Sequence, residues 1–498
     1  MQWSDVIHGL PTLALGDTHH AEISGITYDS REVRPGTLFV AMRGETTDGN
    51  RYVRAALDAG ASAIVTDSRE RFAFADARHL PAALIEHGRQ ALAIVSANFY
   101  QHPERVLKLT GITGTNGKTT TAFLVEGLLR SAGRKSALIG TIETHVVDEV
   151  RPSPHTTPES RDVLAIFADA VAAGATEAVM EISSHALAQE RVYGIPVDMA
   201  IFTNLTQDHL DFHGTMDAYA QAKARLFEGV GAPPPRIALI NADDPYAATM
   251  RHAASHCETV WTYGIDSTAD FQATSVVLHA GETSFALSTP FGNAEVISQL
   301  TGRVNVYNLL AAIAAAVGRG IAFEDAITFA ATLKPVPGRF ETVTNTLGFS
   351  VVVDYAHTDD ALRNLITLAR ELADDAHVIT LFGCGGDRDK TKRPKMGRVA
   401  GEGSDAVIIT SDNPRSEDPA VIAEEALKGV NASGNTNVRI VLDRADAIAL
   451  AINEAKPGDI VLIAGKGHEK TQTAKGVSLP FDDVAVAASA LRKRESEA

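Results

Sequence analysis

The decapeptide Gly111-Ile112-Thr113-Gly114-Thr115-Asn116-Gly117-Lys118-Thr119-Thr120 lies between an apolar, strand-like run over 106–112 and an amphipathic stretch over 120–132. A strand, a glycine-rich turn and a helix in that order point to a parallel α/β sheet, in which the helix crosses back over the strand it follows. Glycines let loop amides approach phosphate oxygens, Lys118 can reach β- and γ-phosphates, and the Thr119 hydroxyl can bind Mg²⁺. The pattern departs from the strict P-loop, which has glycine five residues before Gly117 where this chain has Ile112. A plain glycine turn opening a helix is the alternative; the order strand, loop, Lys-Thr, helix favours nucleotide binding.

Alternation of this kind recurs. Strands are expected over 106–112, 136–142, 178–182 and 199–204, and again over 349–354, 376–382, 406–410 and 459–464, with helical patterns between them. Breaks at Gln101-His102-Pro103 and at Lys334-Pro335-Val336-Pro337-Gly338, the second following an Ala-rich helical stretch over 305–333, divide the chain into three parts. At roughly 150 residues per domain the length of 498 agrees with that number.

Charge and cysteines bound the function. With 45 Lys+Arg against 62 Asp+Glu, a net charge of −17, the chain lacks the cationic excess of a non-specific nucleic-acid binder. Neither a basic-then-apolar leader nor a run of about 18 apolar residues occurs, so membrane insertion and export are not expected. Cys257 and Cys384 match no metal spacing, and a reducing cytoplasm is the expected compartment.

The polar motifs fall at predicted strand ends, where open parallel sheets bind ligands. Glu181, ahead of Ser183, Ser184 and His185, could carry Mg²⁺ or simply cap the next helix with the serines. Asp208, His209, Asp211 and His213 are all ligand-type side chains, and spacing does not choose among them. Lys223, among Ala222, Ala224 and Leu226, reads by itself as a surface lysine with its stem laid along the helix. Arg415, in Asp412-Asn413-Pro414-Arg415, offers a planar fork for a carboxylate, stiffened by Pro414, or is a surface arginine on a turn. The stretch Arg388, Lys390, Lys392, Arg393, Lys395 and Arg398 reads as an anion-binding rim. Glu469, in Gly465-Lys466-Gly467-His468-Glu469, could pair with an ammonium group.

Gly114 to Thr120, Glu181-Ile182-Ser183-Ser184-His185, Thr203-Asn204-Leu205-Thr206-Gln207-Asp208-His209-Leu210-Asp211, Asn305-Val306-Tyr307-Asn308, Pro337-Gly338-Arg339-Phe340, Asp354-Tyr355-Ala356-His357 and Asp412 to Arg415, in this order, resemble the Mur ligases of peptidoglycan precursor synthesis. The resemblance covers essentially the whole chain. It implies an α/β protein of three domains: a small N-terminal α/β domain (1–103) for the uridine-diphosphate end of the substrate, a central P-loop ATPase domain with a parallel sheet (104–336), and a C-terminal Rossmann-like domain (337–498) that brings the amino acid.

Site residues follow from the same resemblance. Tyr28, Ser30, Glu45, Thr46, Thr47, His155, Thr156, Thr157, Ser183, Gln189 and Arg191 are expected along the UDP-sugar peptide. Gly114, Thr115, Asn116, Gly117, Lys118, Thr119, Thr120, Asn305, Asn308, Arg339 and Asp354 are expected at ATP. Thr119, Glu181, His209 and a carbamylated Lys223 (N6-carboxylysine) are expected to hold Mg²⁺. Lys118, Glu181, His209, Lys223 and Arg339 become the catalytic set. Arg388, Asp412, Asn413, Pro414, Arg415, Gly465 and Glu469 become the amino-acid site.

A substrate with a second ammonium and a second carboxylate needs a cationic fork and an acid together. Arg415, Asn413, Arg388 and Glu469 therefore suit meso-diaminopimelate rather than lysine. The implied activity is ATP-driven amide formation on UDP-N-acetylmuramoyl-L-alanyl-D-glutamate by a monomer. His357 is a candidate for nucleotide or phosphate contact, and no general base is identifiable. Two rivals are a folylpolyglutamate-synthetase-like ligase, disfavoured by Asp29-Ser30-Arg31 and Asp412 to Arg415, and a P-loop switch that hydrolyses ATP to drive a partner.

Overall fold

In the computed structural model, which describes residues 1–18, 20–44, 47–279, 282–373 and 375–497, the strands gather into three sheets and a separate hairpin. The middle sheet is the largest. Its centre runs in the order Thr259–Gly264, Ile237–Asn241, Met199–Phe202, Lys108–Thr113, Glu177–Glu181, Ser136–Ile139, all parallel. These strands read as apolar runs because helices cover both faces.

Both edges depart from the expected parallel sheet. Glu143–Val146 and Glu149–Pro152 add antiparallel at one edge; at the other, Phe271–His279, Glu282–Thr289 and Gly292–Ser298 form an antiparallel meander. Along Glu282–Thr289 side chains alternate between core and solvent, the mark of a sheet wetted on one face. The Ala-rich stretch is also not one helix. It forms Arg303–Gly318 and Phe323–Ala330, because Gly320 between them takes a left-handed φ of +81° that stops the first helix. Arg303–Gly318 packs on Lys118–Ser131 through Leu309, Leu310 and Ile313 against Leu124, Val125 and Leu128.

The C-terminal sheet has the order Glu341–Thr342, Ser350–Asp354, Ile460–Ala464, Val378–Phe382, Ala406–Ile409, Val438–Ile440, parallel except for its first strand. The N-terminal sheet is Ala14–Leu15, Ala82–Leu84, Ala63–Thr66, Thr37–Ala41, Gly25–Thr27, and is likewise antiparallel only at its first strand. Among the described residues no helix is long and apolar enough to cross a membrane.

Register places the site. Glu181 stands opposite Ile112 and Phe202 opposite Thr113, so the chain leaves three neighbouring strands at one level. A Cβ on Gly114 would lie 1.8 Å from Thr203 Oγ1, so only glycine allows the first two of these loops to touch.

Behind this edge, His145 is held between Glu126 Oε2 at 2.8 Å and Glu143 Oε1 at 2.9 Å. Burial opposes its charge, but the two carboxylates outweigh burial and hold its pKa above the usual 6.5. A raised pKa in the folded state stabilises fully below the unfolded value and is lost as pH rises through the folded value. His145→Gln is therefore expected to lose about 1 kcal/mol more stability at pH 6 than at pH 9. Urea denaturation of the two proteins at both pH values checks this.

Candidate active site

The phosphate loop is held by the neighbouring strand-end segment at Thr203 and Asn204 and by its own Lys118. Thr115 N donates to Asn204 O at 2.8 Å, Asn116 N to Asn204 Oδ1 at 2.9 Å, and Thr203 Oγ1 to Asn116 O at 2.6 Å. Lys118 opens the helix and folds back, its Nζ donating to Gly114 O at 2.9 Å and Thr115 O at 2.8 Å. Lys223 Nζ donates to the same Gly114 O at 2.8 Å. Two ammonium groups thus converge on one backbone oxygen.

Lys223 is not the surface residue its immediate neighbours suggest; it is 1% exposed. On the helix Met216–Glu228 it lies four residues after Tyr219 and three before Leu226, on the buried face, with Nζ 4.5 Å from the Tyr219 ring centroid. Burial, and then the Lys118 charge, push its pKa well below the ordinary lysine value. Burial likewise lowers Lys118, partly offset by Glu181 and Asp208.

Thr119 Oγ1 donates to Glu181 Oε2 at 2.9 Å, and Thr141 donates to the same carboxylate through N at 2.7 Å and Oγ1 at 3.0 Å. A loop hydroxyl and a strand-end carboxylate side by side fit Mg²⁺, which keeps waters and needs only one or two protein carboxylates. Among the described residues no three His, Cys, Asp or Glu side chains cluster as a metal cage. His209 has a left-handed φ of +52° and lies 3.3 Å from Asp208; its ring is 4.6 Å from that of His185. His213 turns away to Ser184 Oγ at 2.9 Å.

Arg339 comes from the segment joining the middle and last sheets. Its Nη2 donates to Thr119 Oγ1 at 3.1 Å, while its buried Nε has no partner among the described residues. Asn308 Nδ2 donates to Asn305 Oδ1 at 3.0 Å, and Thr121 Oγ1 to Asn308 Oδ1 at 3.1 Å. Beside them a cavity of about 520 Å³ runs between Thr120 and Asn305 on one side and Pro337, Arg339 and Phe340 on the other, a size suited to a nucleoside. Asp354 is already engaged, accepting from Phe340 N at 2.7 Å and Ala356 N at 2.8 Å, and so anchors the Arg339 segment. His357 Nδ1 lies 2.9 Å from Tyr355 O.

The expected sugar-peptide residues are brought together in part. Thr157 Oγ1 donates to Glu181 O at 2.9 Å, Ser183 N to Thr157 Oγ1 at 3.0 Å, and Arg191 to Thr157 O and Gln189 Oε1. Thr156 Oγ1 is 3.0 Å from Thr141 Oγ1. Tyr28 Oη donates to Asp162 Oδ2 at 2.7 Å, tying the first sheet to the second. Ser30 is half-buried, and Thr47 and His155 are exposed. Glu45 and Thr46 lie outside the described residues.

In the last sheet, Asn413 Nδ2 donates to Glu469 Oε2 at 2.8 Å, and the fully buried Lys466 donates to the same oxygen at 3.1 Å and to Asn413 Oδ1 at 3.2 Å. Asp412 is buried under Gly465, where a Cβ would lie 2.7 Å from its Oδ2. Arg415 Nη1 donates to Gly386 O at 2.7 Å. Pro414 O would lie 2.0 Å from a Cβ on Gly386, so the two loops touch backbone to backbone. Arg388 is beside Gly385 with Arg415. The basic rim is smaller than expected: Arg393 is buried on Glu417 and Glu425, Lys390 pairs with Glu417 and Arg398 with Glu402.

Tyr355 joins the two regions. Arg339 lies over its ring at 4.6 Å and His468 packs at 4.9 Å. Burial, followed by Glu469 and with smaller effects from Asp412 and Glu181, pushes its pKa up to about 12. Tyr355 thus links the phosphate loop, through Arg339, to the Asn413–Glu469 pair, through His468. Thr141, Tyr355 and Lys466 were not singled out from sequence as site residues; each follows a strand end or sits inside a glycine motif, the signal that could have found them. Arg339→Ala is expected to weaken binding of a non-hydrolysable ATP analogue by about 1.5–3 kcal/mol, the worth of a charge-assisted hydrogen bond, with little change in melting temperature. Titration calorimetry and a thermal melt check it.

Residues 22–100 match the Mur ligase family, catalytic domain, residues 112–316 the Mur ligase middle domain, and residues 338–467 the Mur ligase, glutamate ligase domain. The chain is 49% identical over 484 residues to UDP-N-acetylmuramoyl-L-alanyl-D-glutamate–2,6-diaminopimelate ligase of Solibacter usitatus (strain Ellin6076), covering 97% of this chain and 96% of that one. It is 44% identical over 483 residues to the ligase of the same name from Geobacillus kaustophilus (strain HTA426), covering 96% and 97%. A solved structure of a ligase of that name superposes with a TM-score of 0.70 at 33% identity, over 99% of each chain.

Proposed function

We propose that this chain, which belongs to the Mur ligase family, is an ATP-dependent ligase that adds meso-2,6-diaminopimelate to UDP-N-acetylmuramoyl-L-alanyl-D-glutamate, as a cytoplasmic monomer in peptidoglycan precursor synthesis. The observation that carries this is Tyr355, which touches both Arg339, bonded to Thr119 of the phosphate loop, and His468, next to the Glu469 that Asn413 binds. Residues 1–103 hold the uridine-diphosphate end, 104–336 bind ATP and 337–498 bring the amino acid.

The D-Glu γ-carboxylate attacks the γ-phosphorus of ATP and ADP leaves, giving an acyl phosphate. The neutral amine of diaminopimelate then attacks the acyl carbon, and collapse of the tetrahedral adduct releases phosphate and a proton. Every reacting group but the amine is anionic, so the protein's task is positioning and charge neutralisation. Lys118 exchanges its bonds to Gly114 O and Thr115 O for phosphate oxygens, and Arg339 turns its unpartnered Nε edge to the same group. Thr119, Glu181, His209 and a carbamylated Lys223 would hold Mg²⁺, which when bound neutralises phosphate charge. Asn305 lines the nucleoside cavity, and Asn308 holds its side chain. Thr156, Thr157, Ser183, Gln189 and Arg191 lie along the sugar-peptide path.

Burial shifts Lys223 toward its neutral form, the form that adds CO₂ with loss of one proton to give a carbamate. That would place an anion beside the Lys118 ammonium. Active protein in ¹³C-bicarbonate is expected to show one carbamate carbonyl resonance that Lys223→Arg lacks; active protein without it would remove the modification.

Phosphate release is expected only with the UDP-muramoyl dipeptide and diaminopimelate together, with lysine a poor substitute. Arg415→Ala should cost roughly 2–5 kcal/mol of that selectivity. Equal turnover of both amino acids by the unaltered enzyme would reject the assignment, and ATP hydrolysis without either substrate would favour a P-loop switch.

A further inference from the structure

Arg393 sits in the helix Lys392–Gly403 and is 0% exposed. A buried guanidinium is tolerated only if it is paired and hydrogen-bonded. Its Nη2 donates to Glu417 Oε1 at 2.9 Å and its Nη1 to Glu417 Oε2 at 3.1 Å and Glu425 Oε2 at 2.8 Å. Glu417 does more than neutralise it. Oε1 also accepts the amide of Asp387 at 2.6 Å. The Asp387 carboxylate in turn accepts Ser416 Oγ at 2.6 Å and Ser416 N at 3.1 Å. The next link is Arg415, whose Nη1 holds Gly386 O, while Gly386 N donates to Asn413 O at 2.9 Å.

This network closes around two strained residues. Asp387 has φ +53° and Arg415 φ +52°, a region that residues with a Cβ enter at a cost. Such strain persists only where surrounding bonds over-determine it, and it gathers at ligand-binding loops. Neither residue is glycine, while Gly385 and Gly386 stand beside them, so the strain falls on the two side chains that carry charge. Gly385 meets Arg415 Nη1 and the Arg388 side chain at once.

We infer that the Arg393–Glu417 ion pair is the positioning device for amino-acid selection: it fixes the 385–388 loop against the 413–416 turn, so that Arg388 and Arg415 present one cationic fork to the distal carboxylate of the incoming amino acid. This rests on the diaminopimelate ligase function proposed above. Arg393 and Glu417 are positioning residues; neither is assigned a contact with substrate. Glu425 shares Arg393 Nη1 with Glu417, and among the described residues its carboxylate bonds to Arg393 and not to the loop.

The test is steady-state kinetics on the full-length enzyme, varying each substrate in turn. Glu417→Gln keeps the side chain's size but loses the charge that pairs with Arg393. It is expected to raise KM for diaminopimelate by about tenfold or more, as misplacement of a binding group does, with KM for ATP and for the UDP-sugar peptide within about twofold and the preference over lysine reduced by about the same factor. Ser416→Ala, at the surface, removes the Oγ bond of the Asp387 clasp, leaves the backbone N–H bond and the buried pair in place, and should give a smaller shift in the same direction. Glu425→Gln should leave all three KM values unchanged. An unchanged diaminopimelate KM in both Glu417→Gln and Ser416→Ala, or an equal rise for all three substrates, would overturn the inference. If the unaltered enzyme itself fails to prefer diaminopimelate to lysine, the underlying assignment fails instead.

Discussion

Two lysines sharing one carbonyl oxygen is an arrangement that holds only with help. Lys118, half-buried, and Lys223, buried, both donate to Gly114 O, and at low local dielectric like charges repel strongly. The fold counters this in two ways. Burial lowers both pKa values, and Glu181 and Asp208 act on Lys118 from the neighbouring strand ends. The remaining imbalance is a standing demand for anions, which a triphosphate, an acyl phosphate and a carbamate would each meet. A mean surface charge that is strongly acidic does not weaken this, because screening and low dielectric make the local groups decide.

The same economy of contacts governs how the sheets meet. Asn116 Nδ2 donates to Asp360 Oδ2 at 2.8 Å, and Thr206 Oγ1 to the same oxygen at 3.2 Å, so the phosphate-loop region touches the first helix of the last sheet. Arg339 and Tyr355 form another bridge, and Leu368 packs against Gly302. Polar contacts of this kind suit elements that rotate on ligand binding. Asp354, expected at the nucleotide, accepts two backbone amides and so sets the path of the chain that delivers Arg339.

Sequence revealed those parts of the molecule whose physics is local. Strand, glycine loop and helix at 106–132, and the breaks around Pro103 and Pro337, follow from hydrophobic period and turn chemistry. What was hidden depended on neighbours distant in the chain. The antiparallel edges of the middle sheet look like ordinary surface strands until the parallel centre exists to receive them. Lys223 illustrates the limit best: an Ala-Lys-Ala triplet carries no sign of burial, although Tyr219, Leu226 and Phe227 at helical spacing mark the face on which it lies. Arg393 was hidden for a related reason, since a run of six cations reads as one anion-binding rim while its acids lie 24 and 32 residues away.

The two hidden cations have opposite consequences for design. Lys223 is buried against another cation, so its site is electrostatically incomplete and tuned to acquire negative charge. Arg393 is buried against two carboxylates, so its charge is matched although its Nε has no hydrogen-bond partner among the described residues, and replacing the whole set by apolar groups would cost stability little or nothing. A buried ion pair of that kind is kept for what it orients rather than for the energy of the pair. In this chain it orients a loop strained at Asp387 and a turn strained at Arg415, and a loosely held loop would relax both into the ordinary region of backbone space, carrying the Arg388 and Arg415 guanidiniums apart. Charge in the phosphate site thus creates affinity, whereas charge beneath the amino-acid pocket creates shape, and selection between two amino acids that differ by one carboxylate depends on the second.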